Sequence, residues 1–375
     1  MAKQLCEDEH EQSFFFSDSR VSLAHLALSG LTLTVAHTTA IAASTSPPRP
    51  DSTPRCQGLS LSESGATPKE LKPLYEAVAD FEKAFADNNN RLFRTLMHPA
   101  LSRERQNPEV FDSTVQEFGL EKAKLQRNAL YSLDLPLGSE KTTAECGKGE
   151  IRGVVGPTQQ YAVVHTFTGG NEQIRVFTLF AQVPPQLMPK QGNDKRPIGI
   201  VYLQAQVWTH GKRSPEALLV ESRKWSILGE PIAAWIHAAA AERILLSNSY
   251  FVPTDALAAQ QLSRDSKARI PSLDTLRSRV KSGGTGWDFI DLAVIFQAKS
   301  LEIGAKFRMK GEEPLNAQIE KCKTLGLTLA QEFPGLVKQF TGVECMPYGP
   351  SEKTEEAPDA GTQFHTWKEL ASRTN

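Results

Sequence analysis

The sequence predicts an α+β fold, with helices packed on an antiparallel sheet and an all-α domain of helical hairpins after them. Three observations predict it. Between residues 68 and 125 apolar side chains recur at helical spacing, beginning with Leu71, Leu74, Val78, Phe81 and Phe85. Between 161 and 228 they gather instead in runs rich in Val, Ile, Phe, Tyr and Trp, separated by turn formers. From Gly229 helical spacing returns, and Pro231 opens a stretch containing four consecutive alanines, Ala238 to Ala241.

A chain of 375 residues is too long for one small core, so two domains are expected. Its 40% hydrophobic and 23% charged residues are those of an ordinary globular protein. Residues 21–42 carry no charge, and Ala40-Ile41-Ala42 supplies the small-x-small pattern of signal cleavage, with a cut before Ala43. Ser, Thr and two His make this stretch too polar for a stable transmembrane anchor. The residues before it are acidic and contain Phe14-Phe15-Phe16, whereas a signal n-region is basic. A true start near Val21 would account for this, and a disordered N-terminus with no targeting role is the alternative. Residues 1–43 are therefore read as an atypical signal-like segment and the mature chain as periplasmic or secreted. Net charge is −1, and without residues 1–43 there remain 40 basic and 38 acidic side chains. That balance excludes a nucleic-acid surface, which needs clustered Lys and Arg.

Cys6 would be lost on cleavage, leaving Cys56, Cys146, Cys322 and Cys345, which allow three full pairings. Adjacency within each domain favours Cys56–Cys146 and Cys322–Cys345; four free thiols in a reducing compartment are the alternative. No CxxC motif exists, so neither a thioredoxin-type redox pair nor a zinc ribbon is available.

Residues 44–67 are rich in Ser, Thr and Pro and read as a linker. Thr67 and Pro68 then suit the start of a helix that Asn88-Asn89-Asn90 ends. Residues 91–97 form a short helix stopped by His98-Pro99, and 108–125 a third. Strands follow at 161–168, 173–183, 198–209 and 217–228, with 128–135 and 149–155 as further candidates. Short links made of Gly169-Gly170-Asn171, of Pro184-Pro185 with Gly192-Asn193-Asp194, and of Gly211 to Pro215 imply antiparallel pairing. In the third strand Val201, Leu203, Ala205 and Val207 form an apolar face, and Tyr202, Gln204, Gln206 and Trp208 an aromatic and amide face. The α+β domain thus spans 68–229. An all-helical domain spans 230–347, with helices near 231–243, after Thr254-Asp255, after Ser272, across 287–307 and from Pro314 to Glu332, and a last short one from Pro334 to about Gly342. Residues 348–375 are polar and read as a disordered tail, in which Phe364, Trp367, Leu370 and Ala371 would share a face if 362–373 were helical.

One resemblance rests on Val78-Ala79-Asp80-Phe81-Glu82-Lys83-Ala84-Phe85-Ala86-Asp87 followed by Arg91-Leu92-Phe93-Arg94-Thr95-Leu96-Met97-His98-Pro99. A long amphipathic helix, a short one ending in His-Pro, a third helix and then a sheet resemble the ketosteroid-isomerase-like superfamily, also called nuclear transport factor 2-like or SnoaL-like. The resemblance covers residues 68–228 and implies helices packed on a curved antiparallel sheet around a cavity. Some members use that cavity for isomerisation or dehydration, others for binding or dimerisation. Catalytic members place a carboxylate in the cavity as general base. Here no Asp lies in the four strands, Glu221 shares a strand face with Arg223, and Asp80 is off the apolar stripe, so no catalytic residue is carried over.

Other chemistry is sparse. His98, His165, His210 and His237 lack metal-ligand spacing, and no motif for a cofactor, a nucleophile elbow or a phosphate loop occurs. Ser278-Arg279-Val280-Lys281 and Lys281-Ser282-Gly283 overlap on Lys281, unlike the separated motifs of penicillin-binding enzymes. Gly283 to Gly286 reads as a flexible loop. The best candidate site is Tyr202, Gln204, Gln206 and Trp208 with Tyr161, His165 and Phe167: aromatic walls and a few polar groups suit a small neutral or amphipathic ligand. The same residues would also serve a half-solvated sheet face. The sequence thus points to an exported, non-catalytic binding or assembly protein of the bacterial cell envelope, meeting a protein partner through its helical domain or tail. A cavity enzyme of isomerase, dehydratase or hydrolase type is the alternative. Mass analysis of the mature protein is expected to find an N-terminus near Ala43, and an intact first segment would overturn the export signal.

Overall fold

The computed structural model describes residues 54–372 apart from short breaks, the longest being 102–107, 136–142, 189–195 and 279–287. The signal-like segment, residues 44–53 of the expected linker and the Gly283 to Gly286 loop lie outside the described residues, whereas Arg55–Gly58, also expected as linker, form a strand. The chain is mixed α+β and separates into two compact units. One holds the described residues up to Thr209 together with Arg243–Ala258; the other holds His210–Glu242 and the described residues from Ala259 onward. The sequence boundary at Gly229 therefore falls inside the second unit.

In the first unit, a single 3-10 turn at Lys69–Leu71 precedes helix α1 (Lys72–Ala86), so the helix proper starts later than Thr67-Pro68 suggests. Leu74, Val78, Phe81 and Phe85 are fully buried along its inner stripe. Asn88 ends it in the left-handed region at φ 49°, which Asn tolerates better than most residues. Asn89 then caps α2 (Asn90–Thr95), its Oδ1 accepting from Leu92 N at 2.9 Å. Helix α3 (Pro108–Glu117) adds Phe111, whose ring meets those of Phe85 and Phe93.

These helices cover one face of a five-stranded antiparallel sheet. Its strands are β1 (Arg55–Gly58), β2 (Gln126–Asp134), β5 (Gln159–Gly169), β6 (Glu172–Gln182) and β7 (Ile198–Val207), in that order. The opposite face is also covered, by a three-stranded sheet of β3 (Thr143–Cys146), β4 (Gly149–Arg152) and β8 (Phe251–Pro253). The unit therefore has two apolar layers. Phe81, Val163, Val176 and Leu203 belong to the helix side, and Leu133, Val164, Phe177, Leu179 and Phe251 to the other. A bulge opposite Leu179 and Phe180 makes Val201 an extra residue in β7. It moves Val201 to the layer of Tyr202 and away from Leu203, which corrects the strict alternation expected of this strand.

The second unit departs most from expectation. Residues expected as a strand at 217–228 form helix α4 (Pro215–Ile227). Ser214 caps it, its hydroxyl accepting from Ala217 N at 3.4 Å, and Pro215 sits in the first turn. Leu218, Leu219, Ser222 and Trp225 then share one buried stripe. Gly229, at φ 76°, turns the chain into α5 (Pro231–Leu245). Helix α6 (Asp255–Ala268) begins where expected.

This unit is not all-helical. The expected helix over 287–307 is a hairpin of β9 (Asp288–Phe296) and β10 (Leu301–Arg308), closed by Gln297 N donating to Ser300 O at 3.0 Å. Helices α7 (Leu315–Glu332) and α8 (Pro334–Gln339) then carry the chain to β11 (Gly342–Tyr348), which pairs with β10 in parallel. A crossover helix is what parallel neighbours require. The tail expected to be disordered continues the sheet as β12 (Gln363–Thr366) and ends in α9 (Trp367–Ala371). Trp367 and Leu370 are buried, and Trp367 Nε1 donates to Phe340 O at 2.8 Å, so a helix too short to persist alone is held by docking.

Each unit contains one disulfide. Cys56–Cys146 joins β1 to β3 with Cα atoms 5.3 Å apart, and Cys322–Cys345 joins α7 to β11 at 5.8 Å. Loop closures of 90 and 23 residues correspond to about 4.6 and about 3.4 kcal/mol in the chain-entropy treatment. Paired Cys→Ala variants should lower urea stability in that order, and equal losses would show that loop length does not govern them. Gly342 provides a second check: a Cβ there would run into the His365 carbonyl. Gly342→Ala should therefore release β12 and expose Trp367, read as a red shift of its fluorescence, and an unchanged spectrum would refute this contact.

Candidate functional site

The seven residues singled out in the sequence do not share a face. Tyr202, Gln204, Gln206 and Trp208 lie on or just after β7 and look away from the helices, whereas Tyr161, His165 and Phe167 look toward α1. The expected pocket is thus divided by the thickness of the sheet.

The β7 group does face a partner, and the partner is the chain itself. Gln204 Nε2 donates to Ser247 O at 2.9 Å and Gln206 Nε2 to Ile244 O at 3.5 Å. Tyr202 donates its hydroxyl to Gln204 Oε1, and its ring packs against Tyr250 at 4.1 Å between centroids. Phe251, on β8, stacks on Phe177 at 5.8 Å. Asn248 holds this returning segment in shape, its Oδ1 accepting from the backbone of Tyr250 and Phe251. Beyond it, the Arg175 guanidinium lies 3.0 Å above the Trp208 ring, a cation–π contact in a site where Trp208 is buried. Aromatic area and amide groups that would suit a ligand are thus occupied by residues 244–251.

On the helix side a group emerges that sequence reasoning missed. Arg127 and His165 are direct cross-strand neighbours on β2 and β5, and both reach Glu82 on α1. His165 Nε2 lies 2.9 Å from Glu82 Oε1, and Arg127 donates through Nε at 3.0 Å and its terminal nitrogen at 2.9 Å to the same oxygen. Arg127 also donates to Leu61 O at 2.6 Å. His165 has no exposed surface, and its ring lies 5.4 Å from that of Phe81. Burial depresses the His165 pKa against the opposing pull of Glu82, with Arg127 adding to the depression. Burial works to raise the Glu82 carboxyl, but the hydrogen bond from His165 and the charge and hydrogen bond of Arg127 outweigh it and bring it below the usual range. A neutral imidazole donating Nε2–H to a carboxylate follows. His165 Nδ1 is then a bare acceptor, buried with no hydrogen-bond partner.

Glu82 follows Phe81 at the edge of the apolar stripe, and its only sequence signal is a carboxylate at the border of a buried face. The acid comes from a helix rather than a strand, two residues beyond Asp80. Asp80, also on α1, pairs instead with Arg196.

The remaining histidines serve the backbone. His98 donates to Gln182 O at 3.2 Å, His210 to Ser300 O at 2.6 Å, and His237 through Nδ1 to Ala233 O at 2.7 Å. His98 N also donates to Ile200 O, and Ile200 N to Leu96 O, fixing the end of α2 to β7. Among the described residues no group of three or more His, Cys, Asp or Glu could hold a metal ion, and no helix is long and apolar enough to cross a membrane. Comparison with protein-family models, curated proteins and solved structures gives no match for this chain.

Two outcomes are expected. Gln204→Leu removes the bonds to Ser247 and Tyr202 and should cost about 1–2 kcal/mol in urea unfolding, whereas no loss would mean that the β7 face does not hold residues 244–251. Glu82→Ala leaves Arg127 and His165 uncompensated and should cost about 3 kcal/mol. Both pKa values are depressed in the fold, so the unfolded chain binds more protons and stability falls as pH drops below the ordinary imidazole range of about 6.5. His165→Gln should flatten that slope between about pH 7 and about pH 5, and an unaltered slope would place its origin elsewhere.

Proposed function

We propose that the chain is an exported, non-catalytic binding or assembly protein of the bacterial cell envelope. The observation that carries this reading is the closure of the β7 face by residues 244–251: the surface whose composition suits a ligand site is consumed inside the protein. Function then falls to the outer surface. One disulfide within each unit supports an oxidising compartment, periplasmic or extracellular. Helices on one face of an antiparallel sheet, with the end of α2 bonded to β7, support the resemblance to the ketosteroid-isomerase-like superfamily as a scaffold. The polar contacts of Glu82 suit a structural clamp between α1 and the sheet.

A second reading, a cavity enzyme of isomerase, dehydratase or hydrolase type, is favoured by the Glu82–His165 contact and the bare Nδ1. A carboxylate beside a histidine is a general-base arrangement, but it must reach a substrate to act.

Export and binding are tested together by photo-crosslinking in the intact envelope, with thiols alkylated before lysis. The expected result is a mature protein that takes up no alkylating reagent and forms a discrete adduct with another protein. Free thiols, or no adduct, would overturn the reading. Hydrolysis of p-nitrophenyl acetate by the parent, abolished in His165→Gln, would favour the enzyme instead.

A further inference from the structure

Helix α4 leaves one stripe in solvent. Glu216, Val220, Arg223 and Ile227 recur at i, i+4, i+7 and i+11, opposite the buried Leu218, Leu219, Ser222 and Trp225. Val220 is 60% exposed, Ile227 86% and the adjoining Leu228 60%. A single exposed apolar residue needs no explanation, but three between Val220 and Leu228, at and just past the end of one helix, do.

Beside them, at the turn from α4 to α5, lies a cleft of about 160 Å³ lined by Ser226, Gly229, Pro231, Ala234, Ser266 and Arg269. Arg269 donates to Ser226 Oγ at 2.7 Å, which holds its guanidinium at the cleft. Ser266 is 2% exposed, and its hydroxyl has no hydrogen-bond partner. Neighbouring lysines are matched, Lys224 with Glu221 and Lys267 with Asp291. Among the described residues no carboxylate pairs with Arg223 or Arg269. The unmatched charges are therefore two guanidinium groups, one between the exposed apolar side chains and one in the cleft beside them.

We infer that this surface docks an acidic amphipathic helix of a partner protein, its carboxylates meeting Arg223 and Arg269 and its apolar side chains covering Val220, Ile227 and Leu228. Guanidinium groups favour discrete, bidentate carboxylates, and apolar side chains at helical spacing favour a helix laid along them. Glu216, at the N-terminal end of the same stripe, leaves the carboxylates of the partner to the Arg223 end. The inference rests on reading the protein as a binding protein and names the partner's chemistry.

The test uses the oxidised mature chain and a fluorescein-labelled model helix of about 18 residues, with Leu at i, i+4, i+7 and i+11 and Glu beside them. Fluorescence anisotropy should give saturable binding that weakens with salt. Arg269→Gln and Ile227→Ser should each weaken it by about tenfold, as should replacing every Glu of the peptide by Gln. Both protein substitutions are at exposed side chains, so thermal unfolding should match the parent. Equal binding of the Glu and Gln peptides, unaltered binding by both variants, or no binding would overturn the inference. So would Ile227-dependent sedimentation with phosphatidylglycerol vesicles. In the envelope crosslinking experiment, an adduct retained by both variants would overturn this surface alone, whereas no adduct in the parent would overturn the binding reading itself.

Discussion

Burial of both faces of the five-stranded sheet governs the first unit. A sheet covered on one side can leave alternate side chains in water, but one covered on both must satisfy every polar side chain internally. Four residues find partners by reaching different covering elements, although the second ring nitrogen of His165 and Oε1 of Gln206 have none. Gln160, fully buried, accepts from Val154 N and donates to Val154 O. His165 reaches Glu82 on α1, while Gln204 and Gln206 reach the carbonyls of Ser247 and Ile244. Leaving any such group unpaired in the core costs about 1–3 kcal/mol, so the same bonds that satisfy the sheet fix what covers it.

This explains how far the sequence could be read. β5, β6 and β7 were legible because their β-branched and aromatic runs are bounded by turn formers, and the helices were legible through apolar spacing. The β7 face was legible as composition but not as role. Tyr, Gln and Trp line a ligand cavity and an internal seam equally well, and the segment that closes this seam lies some 40 residues further along the chain (Gln204 to Ser247). Two other regions failed because they satisfy two periods. Leu218-Leu219-Val220 reads as a strand until Ser214 and Pro215 are weighed as a helix start. Phe289 to Phe296 fits a helical stripe, but its partner β10 is itself paired with β11, reached only after two further helices. Non-local pairing of that kind leaves no local trace.

Electrostatics separates clamp from catalyst in the Glu82 group. Two side chains, Arg127 from β2 and His165 from β5, converge on one carboxylate oxygen of Glu82, and a charge held by two donors there is well suited to remain ionised. A general base works best when its pKa lies near the working pH, yet both Glu82 and His165 are displaced downward. Such a pair holds a fixed charge more readily than it exchanges a proton at neutral pH.

Access then decides where function can reside. Chemistry at His165 would require an opening beside a ring with no exposed surface, within 5.4 Å of Phe81. The Cys56–Cys146 bond ties β1, on the large sheet, to β3, on the small one, and so opposes separation of those two layers. In the other unit Cys322–Cys345 ties α7 to β11 beneath the docked α9. Interiors braced in this way keep their partners among themselves. Outside, α4 carries exposed apolar side chains and the unmatched Arg223 into water, with Arg269 beside it just past α6, and a binding role needs no cavity at all.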